Sequence, residues 1–171
     1  EGALGKKLPP GLKTGESWEF SVRKDNPSII ANGAFKDMPF IELLPKFTEQ
    51  LLGKDQAARY NGWFPLLFKF IDASGMLSIQ VHPGDEFARQ YESDYGKTEA
   101  WYVIDSQPYG RVFKGLLPGV TRDSFVEAVN KGTVEECLAG FSVSKGDAIF
   151  IPAGTVHSVC NGVLIYEVQE N

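Results

Sequence analysis

The sequence predicts an all-β core, a sandwich or a barrel, that carries helical insertions. Short apolar segments separated by tight turns fill the end of the chain, and several earlier segments alternate apolar and polar residues with period two. At 171 residues, 43% of them hydrophobic, the chain is long enough to bury one sizeable core. We therefore expect a single domain over residues 1–171, with helical insertions near residues 40–53 and 121–138.

The first part of the chain mixes strands with one helix. Residues 17–22 (SWEFSV) alternate polar and apolar side chains, and residues 27–35 (PSIIANGAF) predict a second short strand with an Asn-Gly turn. Residues 38–53 are apolar at a helical period and end at a glycine, although Pro45 interrupts the pattern. Residues 64–73 (FPLLFKFIDA) predict a strongly buried strand.

The segment 76–83 (MLSIQVHP) alternates apolar residues with polar ones. Successive side chains of a strand point to opposite faces. A strand here would therefore place Ser78, Gln80 and His82 on one face.

The second part of the chain returns to strands after two helices. Residues 84–93 predict a short helix, and residues 97–106, aromatic and β-branched, predict a strand. Residues 121–133 predict a helix with Thr121 as N-cap and a glycine at its end. From Phe141 onward the pattern is that of short strands and tight turns: FSVSKGD, AIFIPAG, TVHSVC and GVLIYEVQ.

Composition and charge argue against two classes of partner. A formal net charge of −5 without a basic stripe disfavours nucleic-acid binding, and the basic stretch GKKLPPGLK predicts a solvated arm. The longest apolar run, WFPLLFKFI, is too short to span a bilayer. Cys137 and Cys160 lack CxxC spacing and give no disulfide framework, which suits a reducing compartment. We expect a cytoplasmic protein without a membrane or nucleic-acid partner, and we assign the cysteines no role.

Four residues have the chemistry of a metal site. Gln80 and His82 lie two apart, so one strand would supply two donors on one side. Glu99 enters the next strand and offers a carboxylate, and His157 follows the Pro-Ala-Gly turn at residues 152–154. Two nitrogens and two oxygens form a borderline donor set that suits Zn²⁺ with water or substrate in the open positions.

Each of these residues also has a purely structural interpretation. A lone histidine on an apolar strand is more often a hydrogen-bonded core residue, and Gln80 can face solvent. Glu99 can pair with Lys97 on the surface, which contributes roughly 0–1 kcal/mol. The conjunction favours a metal, because both histidines of the chain adjoin Pro/Gly turns and each unsatisfied buried polar group costs about 1–3 kcal/mol. Spacing alone leaves both interpretations open.

Two motifs resemble those of the cupin superfamily. The pattern G-x5-P-x-G-x2-H-x3-N of the second cupin motif matches at all its fixed positions, and Gln80-x-His82 followed by Glu99 resembles a first motif in which Gln replaces the first His. Together with GESWEFS, FPLLFKF, LSIQVHP, GKTEAWYV and IPAGTVHSV, this variant resembles type I mannose-6-phosphate isomerases from about Gly15 to Asn171. The second-motif residues are Gly146, Pro152, Gly154, His157 and Asn161.

The resemblance implies a mainly β, cupin-type jelly-roll barrel or sandwich with helical insertions. It implies one Zn²⁺ per chain, held by Gln80, His82, Glu99 and His157. It further implies an enzyme that interconverts mannose 6-phosphate and fructose 6-phosphate through a cis-enediol. Lys97 or Glu167 would move the protons, a choice that the sequence leaves open. The residues implied in substrate binding are Glu16, Trp18 and Lys69.

These cleft residues also have structural alternatives. Lys69 lies between apolar neighbours in a buried-looking strand, where an unpaired ammonium is costly, but its stem can also lie along apolar surface with its head in water. Lys97 can be a turn lysine in solvent, and Glu167 can face solvent on an edge strand. Trp18 can be a core residue, and Glu16 can be a turn residue.

The chain departs from the family pattern at its end. Family members continue into a segment with an active-site arginine and then into a second cupin-like domain, whereas this sequence stops at Asn171. The chain is then either a piece of a longer enzyme or a short relative, and an exposed sheet edge would favour self-association. Two alternatives follow: a non-catalytic cupin that binds a sugar or sugar phosphate, and a metal-dependent oxygenase, which would prefer Fe²⁺.

Overall fold

Two antiparallel β-sheets form the framework of the protein in the computed structural model, which describes residues 4–7, residue 11 and residues 14–170. This confirms the predicted mainly β fold with helical insertions. The basic arm predicted at the start of the chain lies partly outside the described residues. The strands are β1 (Glu16–Phe20), β2 (Leu66–Ala73), β3 (Glu99–Ser106), β4 (Arg111–Leu116), β5 (Leu138–Ser142), β6 (Ala148–Ile151), β7 (His157–Val159) and β8 (Val163–Glu170).

The two sheets differ in size and share one core. The larger sheet has the order β1-β2-β8-β3-β6 and the smaller one β5-β4-β7, and all paired strands are antiparallel. The strands of both sheets contribute apolar side chains to one buried cluster, so the hydrophobic effect holds the two layers together. The most completely buried members of this cluster are Val103, Val112, Val163, Ile151 and Ile165.

The helices lie in the connections between strands, including both predicted insertion regions. Pro45 occupies the first turn of its helix, where no intrahelical N–H donor is required, so it does not interrupt the helix as its position in the sequence suggested. Gly53 ends that helix with a positive φ of 76°. The helices are α1 (Leu44–Leu52), α2 (Lys54–Arg59), α3 (Asp85–Tyr91) and α4 (Arg122–Lys131), with 3₁₀ turns at Phe40–Glu42 and Val134–Cys137.

Two predicted strands are not regular strands. Residues 27–35 form only an isolated bridge between Ile29 and Pro39, because Pro27 has no N–H to donate and the chain turns back immediately afterwards. Residues 76–83 are extended but form only one bridge, Gln80 to His157. The neighbouring strand β7 is three residues long, which leaves no room for a longer ladder.

Two elements were not predicted. Helix α2 follows α1 directly after Gly53. Strand β4 was missed because its buried residues Val112 and Phe113 are adjacent instead of alternating, and its pairing with β5 is irregular between Phe113 and Leu116. This strand nevertheless holds the smaller sheet together, since it is the partner of both β5 and β7.

Candidate metal centre

One cross-strand row of the larger sheet carries several residues of the site. Lys69 on β2 lies directly opposite Glu167 on β8, and Glu167 lies opposite Trp101 on β3. Because directly opposite residues share a face of the sheet, all three side chains point to the same side. Glu99, two residues before Trp101, also points to that side. Trp18 on β1 extends the row, as the residue opposite Lys69.

The candidate metal ligands come from three separate segments. Glu99 begins β3 in the larger sheet, His157 begins β7 in the smaller sheet, and His82 lies in the extended segment before α3. His157 Nε2 lies 3.0 Å from Glu99 Oε1, and His82 Nε2 lies 3.6 Å from Glu99 Oε2. One possible ligand atom from each of these residues lies within 4.8 Å of the other two.

The buried polar atoms of this cluster have no hydrogen-bond partners among the described residues. His82 Nε2, Glu99 Oε2 and His157 Nε2 are all inaccessible to solvent and make no hydrogen bond of normal geometry there. Buried polar groups in native proteins are normally paired, so three orphaned donor atoms that converge on one point require a missing partner. A divalent cation with nitrogen and oxygen ligands satisfies all three at once, so the residues fit a metal.

The backbone fixes which nitrogen of His157 faces the cluster. Its Nδ1 lies 2.8 Å from the carbonyl oxygen of Thr155, which places a proton on Nδ1 and leaves Nε2 with a lone pair in the neutral ring. That lone pair faces a carboxylate oxygen at 3.0 Å. Two acceptors at this distance need a proton or a cation between them. Metal binding here should therefore displace a proton.

The ionisation of the cluster follows from burial and charge. Burial, followed by the nearby Lys97 ammonium, lowers the pKa of His82 to about 4, so this imidazole is neutral near pH 7. Burial alone would lower the pKa of His157, but Glu99 and the Thr155 carbonyl raise it. Burial alone would raise the pKa of Glu99, yet the His157 imidazole 3.0 Å away and the Lys97 charge lower it. Glu99 is therefore a carboxylate, the form that binds a metal.

Gln80 lies in the same extended segment as His82 and faces the same cavity. Its backbone N–H and carbonyl both pair with His157, and its side chain lines the cavity. The amide Nε2 donates to Ser78 Oγ at 2.6 Å, which leaves the amide oxygen as the group that can serve a cation. The shared face predicted for Ser78 and Gln80 agrees with both residues lining the cavity.

Lys97 lies just before β3 and faces the cavity. Its Nζ is 3.3 Å from Glu99 Oε2, and its side chain is largely covered. The alternative of a surface Lys97–Glu99 pair is wrong, because only 3% of Glu99 is exposed. The Lys97 ammonium beside the cluster keeps Glu99 ionised and adds a proton donor to the cavity.

A second polar group lies beside the metal cluster. Lys69 Nζ lies 2.9 Å from Glu167 Oε1 and 3.7 Å from Glu16 Oε2, so this lysine is paired within the cavity and does not extend into water. Burial raises the pKa of Glu167, as does the charge of Glu99, and Lys69 opposes the shift. The indole N–H of Trp18 donates a hydrogen bond to Glu16 Oε1 at 3.1 Å.

The structure thus brings together all nine residues singled out from the sequence. Seven line one cavity between the sheets, His82 contacts Glu99, and Trp18 contacts Glu16. Sequence reasoning missed further lining residues, among them Trp101 and Ser158. Trp101 lies two residues after Glu99 in the same predicted strand, so the two side chains were expected on one face; this was the available signal.

Two sheets that enclose a His–Glu–His cluster, with donors from both, define a cupin-type protein with a candidate metal centre.

Among the residues that the structure describes, no helix is both long and apolar enough to cross a membrane. Cys137 and Cys160 are buried and unpaired thiols.

Comparison with known proteins identifies the family. The family Phosphomannose isomerase type I, catalytic domain, matches residues 5–109, and the chain belongs to this family. It is 36% identical over 163 residues to Mannose-6-phosphate isomerase ManA of Bacillus subtilis and 33% identical over 162 residues to Mannose-6-phosphate isomerase of Streptococcus mutans. Each match covers 95% of this chain, but only 50% and 49% of those proteins.

The fold agrees with that of a solved relative. The crystal structure of the mannose 6-phosphate isomerase from Bacillus subtilis superimposes with a TM-score of 0.84 at 35% identity, over 95% of this chain and 50% of that one. This confirms the cupin-type fold. The chain therefore spans about half the length of the curated relatives that it matches.

Proposed function

We propose that the protein to which this chain belongs interconverts mannose 6-phosphate and fructose 6-phosphate, and that this chain supplies its metal centre. One observation carries the proposal: three orphaned metal-donor atoms converge beside Lys97 and beside the Lys69–Glu167 pair. The names of the relatives support the choice of reaction. On this proposal, residues 1–171 form one cupin domain, and a second cupin-like domain of the family lies outside them.

We propose Zn²⁺ as the resident metal, one per chain. His82, Glu99 and His157 would hold it together with the amide oxygen of Gln80. Two imidazoles with oxygen ligands form a borderline donor set that suits zinc, which binds four such ligands and can expand to five when a substrate oxygen binds. When bound, the cation polarises the sugar oxygens and lowers the energy of the negative charge that develops on them.

The reaction requires proton transfer without an external oxidant. A base removes the proton on C2 of the open-chain aldose while the C1 carbonyl oxygen gains a proton, which gives the cis-enediol. The O2 hydroxyl then loses its proton while C1 gains one, which gives the ketose. Glu167 and Lys97 are the groups near the metal cluster that can exchange protons, and burial of Glu167 favours proton uptake. We assign the proton transfers to these two residues without dividing the steps between them.

The charge of the cavity suits a phosphorylated sugar. Lys69, Lys97 and a divalent cation would outweigh the carboxylates of Glu16, Glu99 and Glu167. A dianionic substrate is then attracted, whereas a neutral sugar gains little. We propose that Lys69 and Glu16 contact substrate oxygens and that Trp18 forms a wall of the cleft.

A coupled assay tests the proposal. The full-length protein, loaded with Zn²⁺, should convert mannose 6-phosphate to fructose 6-phosphate, and removal of the metal by a chelator should abolish the conversion. No turnover by the zinc-loaded protein would contradict the proposal. Thermal stabilisation by mannose 6-phosphate without turnover would instead support the alternative of a non-catalytic sugar-phosphate-binding cupin.

We further propose a cytoplasmic location and self-association. Two buried free thiols suit a reducing compartment. Strand β6 lies at the edge of the larger sheet as described, and Phe150 on it is 59% exposed. An apolar sheet edge favours pairing between chains. Sedimentation of the 171-residue chain at several concentrations tests this, and a monomer throughout would contradict it.

A further inference from the structure

Trp101 lines the cavity and has had no role in the proposed reaction so far. It is 2% exposed on β3 and stands directly opposite Glu167 on β8. Its indole N–H donates to Glu167 Oε2 at 2.9 Å, and its ring meets the His157 ring at 5.6 Å in an edge-on arrangement. The indole nitrogen is only a donor, so the direction of this hydrogen bond is unambiguous.

The two oxygens of Glu167 are held in different ways. Oε2 receives the directional hydrogen bond from Trp101. Oε1 lies 2.9 Å from Lys69 Nζ but makes no hydrogen bond of normal geometry with the described residues. The terminal torsion of a glutamate is broad, so a charge partner alone leaves the carboxylate plane loosely defined. A fixed N–H on one oxygen defines that plane and leaves the other oxygen able to exchange a proton.

We propose that Trp101 is a positioning residue for Glu167. It anchors Oε2, and thereby presents Oε1 as the oxygen through which Glu167 exchanges a proton with the substrate. This inference rests on the proposed isomerase function and adds to it the residue that orients the base. A purely structural Trp101 would only fill the core, a role that phenylalanine can largely take over.

Trp101→Phe separates the two roles, because it keeps an aromatic ring and removes the N–H. The matched control is Trp63→Phe, since Trp63 lines a separate surface hollow beside Arg23 and Tyr95. In the zinc-loaded full-length protein, we expect Trp101→Phe to lower kcat about 10–100-fold with KM changed less than about twofold. The kinetic isotope effect on C2-deuterated substrate should rise, and zinc content should stay at the parent level.

Two kinetic results would overturn the inference. One is a kcat for Trp101→Phe within about twofold of the parent and of the Trp63→Phe control. The other is a fall in kcat that accompanies loss of zinc, which would mean that Trp101 only supports the fold or the metal ligands.

A second measurement is independent of turnover. In ¹⁵N-tryptophan-labelled protein, the indole N–H signal of Trp101 should move on Glu167→Gln, while that of Trp63 stays in place. An unmoved Trp101 signal would overturn the contact itself. A parent protein inactive on mannose 6-phosphate would overturn the proposed function and the catalytic part of this inference, whereas the indole signal would still decide whether Trp101 holds Glu167.

Discussion

Glu167 carries a carboxylate where charge is costly. It is 3% exposed, and within the described part of the chain a lysine and an indole compensate it. A buried ion pair contributes little net stability, but removal of one partner leaves an uncompensated charge and costs far more. The pair with Lys69 therefore makes the fold sensitive to single changes in the cavity.

Replacing Lys69 by methionine tests this compensation. We expect the variant to lose roughly 3–5 kcal/mol of unfolding free energy at neutral pH, because the buried carboxylate loses its partner. Without Lys69, which opposes the upward shift, the pKa of Glu167 should rise further. The folded variant then binds a proton more tightly than the unfolded chain, so its stability is fully present at low pH and is lost as the pH rises through the raised pKa.

Urea unfolding at about pH 5 and pH 8 measures this difference. The penalty relative to the parent should be larger at the higher pH. Lys131→Met is the control, since Lys131 pairs with Glu127 on the exposed face of α4 and its loss should cost below about 0.5 kcal/mol at either pH. Equal penalties for Lys69→Met at both pH values would contradict the account.

At the scale of elements, local chemistry decided which segments could be predicted. Helix α4 is capped by Thr121 and by Gly132 as expected, because capping depends on residues adjacent in the sequence. Strand β4 and the irregular segment 76–83 depend instead on what lies beside them in the fold. Their ladders are limited by partners distant in the chain, which no local pattern reveals.

The cap of α4 provides a prediction at this scale. Thr121 Oγ1 accepts a hydrogen bond from the Ser124 N–H, and Ser124 Oγ accepts one from the Thr121 N–H. Thr121→Ala should lower the unfolding free energy by about 1 kcal/mol. Thr133→Ala is the control, because Thr133 precedes a 3₁₀ turn without a side-chain cap. Equal losses in both variants, measured by urea unfolding, would show that the cap contributes nothing specific.

The same contrast applies to the site. The alternation of apolar and polar residues correctly placed Gln80 on the cavity side. The residue types of Gln80 and Glu99 gave the donor groups, an amide and a carboxylate. The distance between Glu99 and His157, which belong to different sheets, followed only from the assembled fold. From the sequence, the resemblance of the motifs placed Glu99 and His157 in one site, whereas their spacing did not. For Trp101, the face of the sheet to which the side chain points could be predicted from the sequence, but its hydrogen bond to Glu167 could not.

At the scale of the whole molecule, a metal would link three parts of the fold. Its candidate ligands belong to the larger sheet, the smaller sheet and the extended segment before α3. A ligand that binds only the folded state stabilises it by mass action. The metal centre is then a structural link between the two sheets as well as a chemical site.

Thermal unfolding with and without zinc measures that link. At about 1,000 times its Kd, zinc should add about 4 kcal/mol, which raises Tm by on the order of 10 °C. Mg²⁺ at the same concentration should produce no such shift, because it prefers six oxygen ligands. An unchanged Tm of the metal-free protein on addition of zinc would contradict a metal centre that joins the sheets.

Elemental analysis of the purified protein measures whether His82, Glu99 and His157 hold a metal. We expect one zinc ion per chain in the parent and in the Trp63→Phe control. His157→Ala, which removes the candidate ligand contributed by the smaller sheet, should lose most of that zinc while it stays folded by circular dichroism. Full retention of zinc by folded His157→Ala would contradict the account.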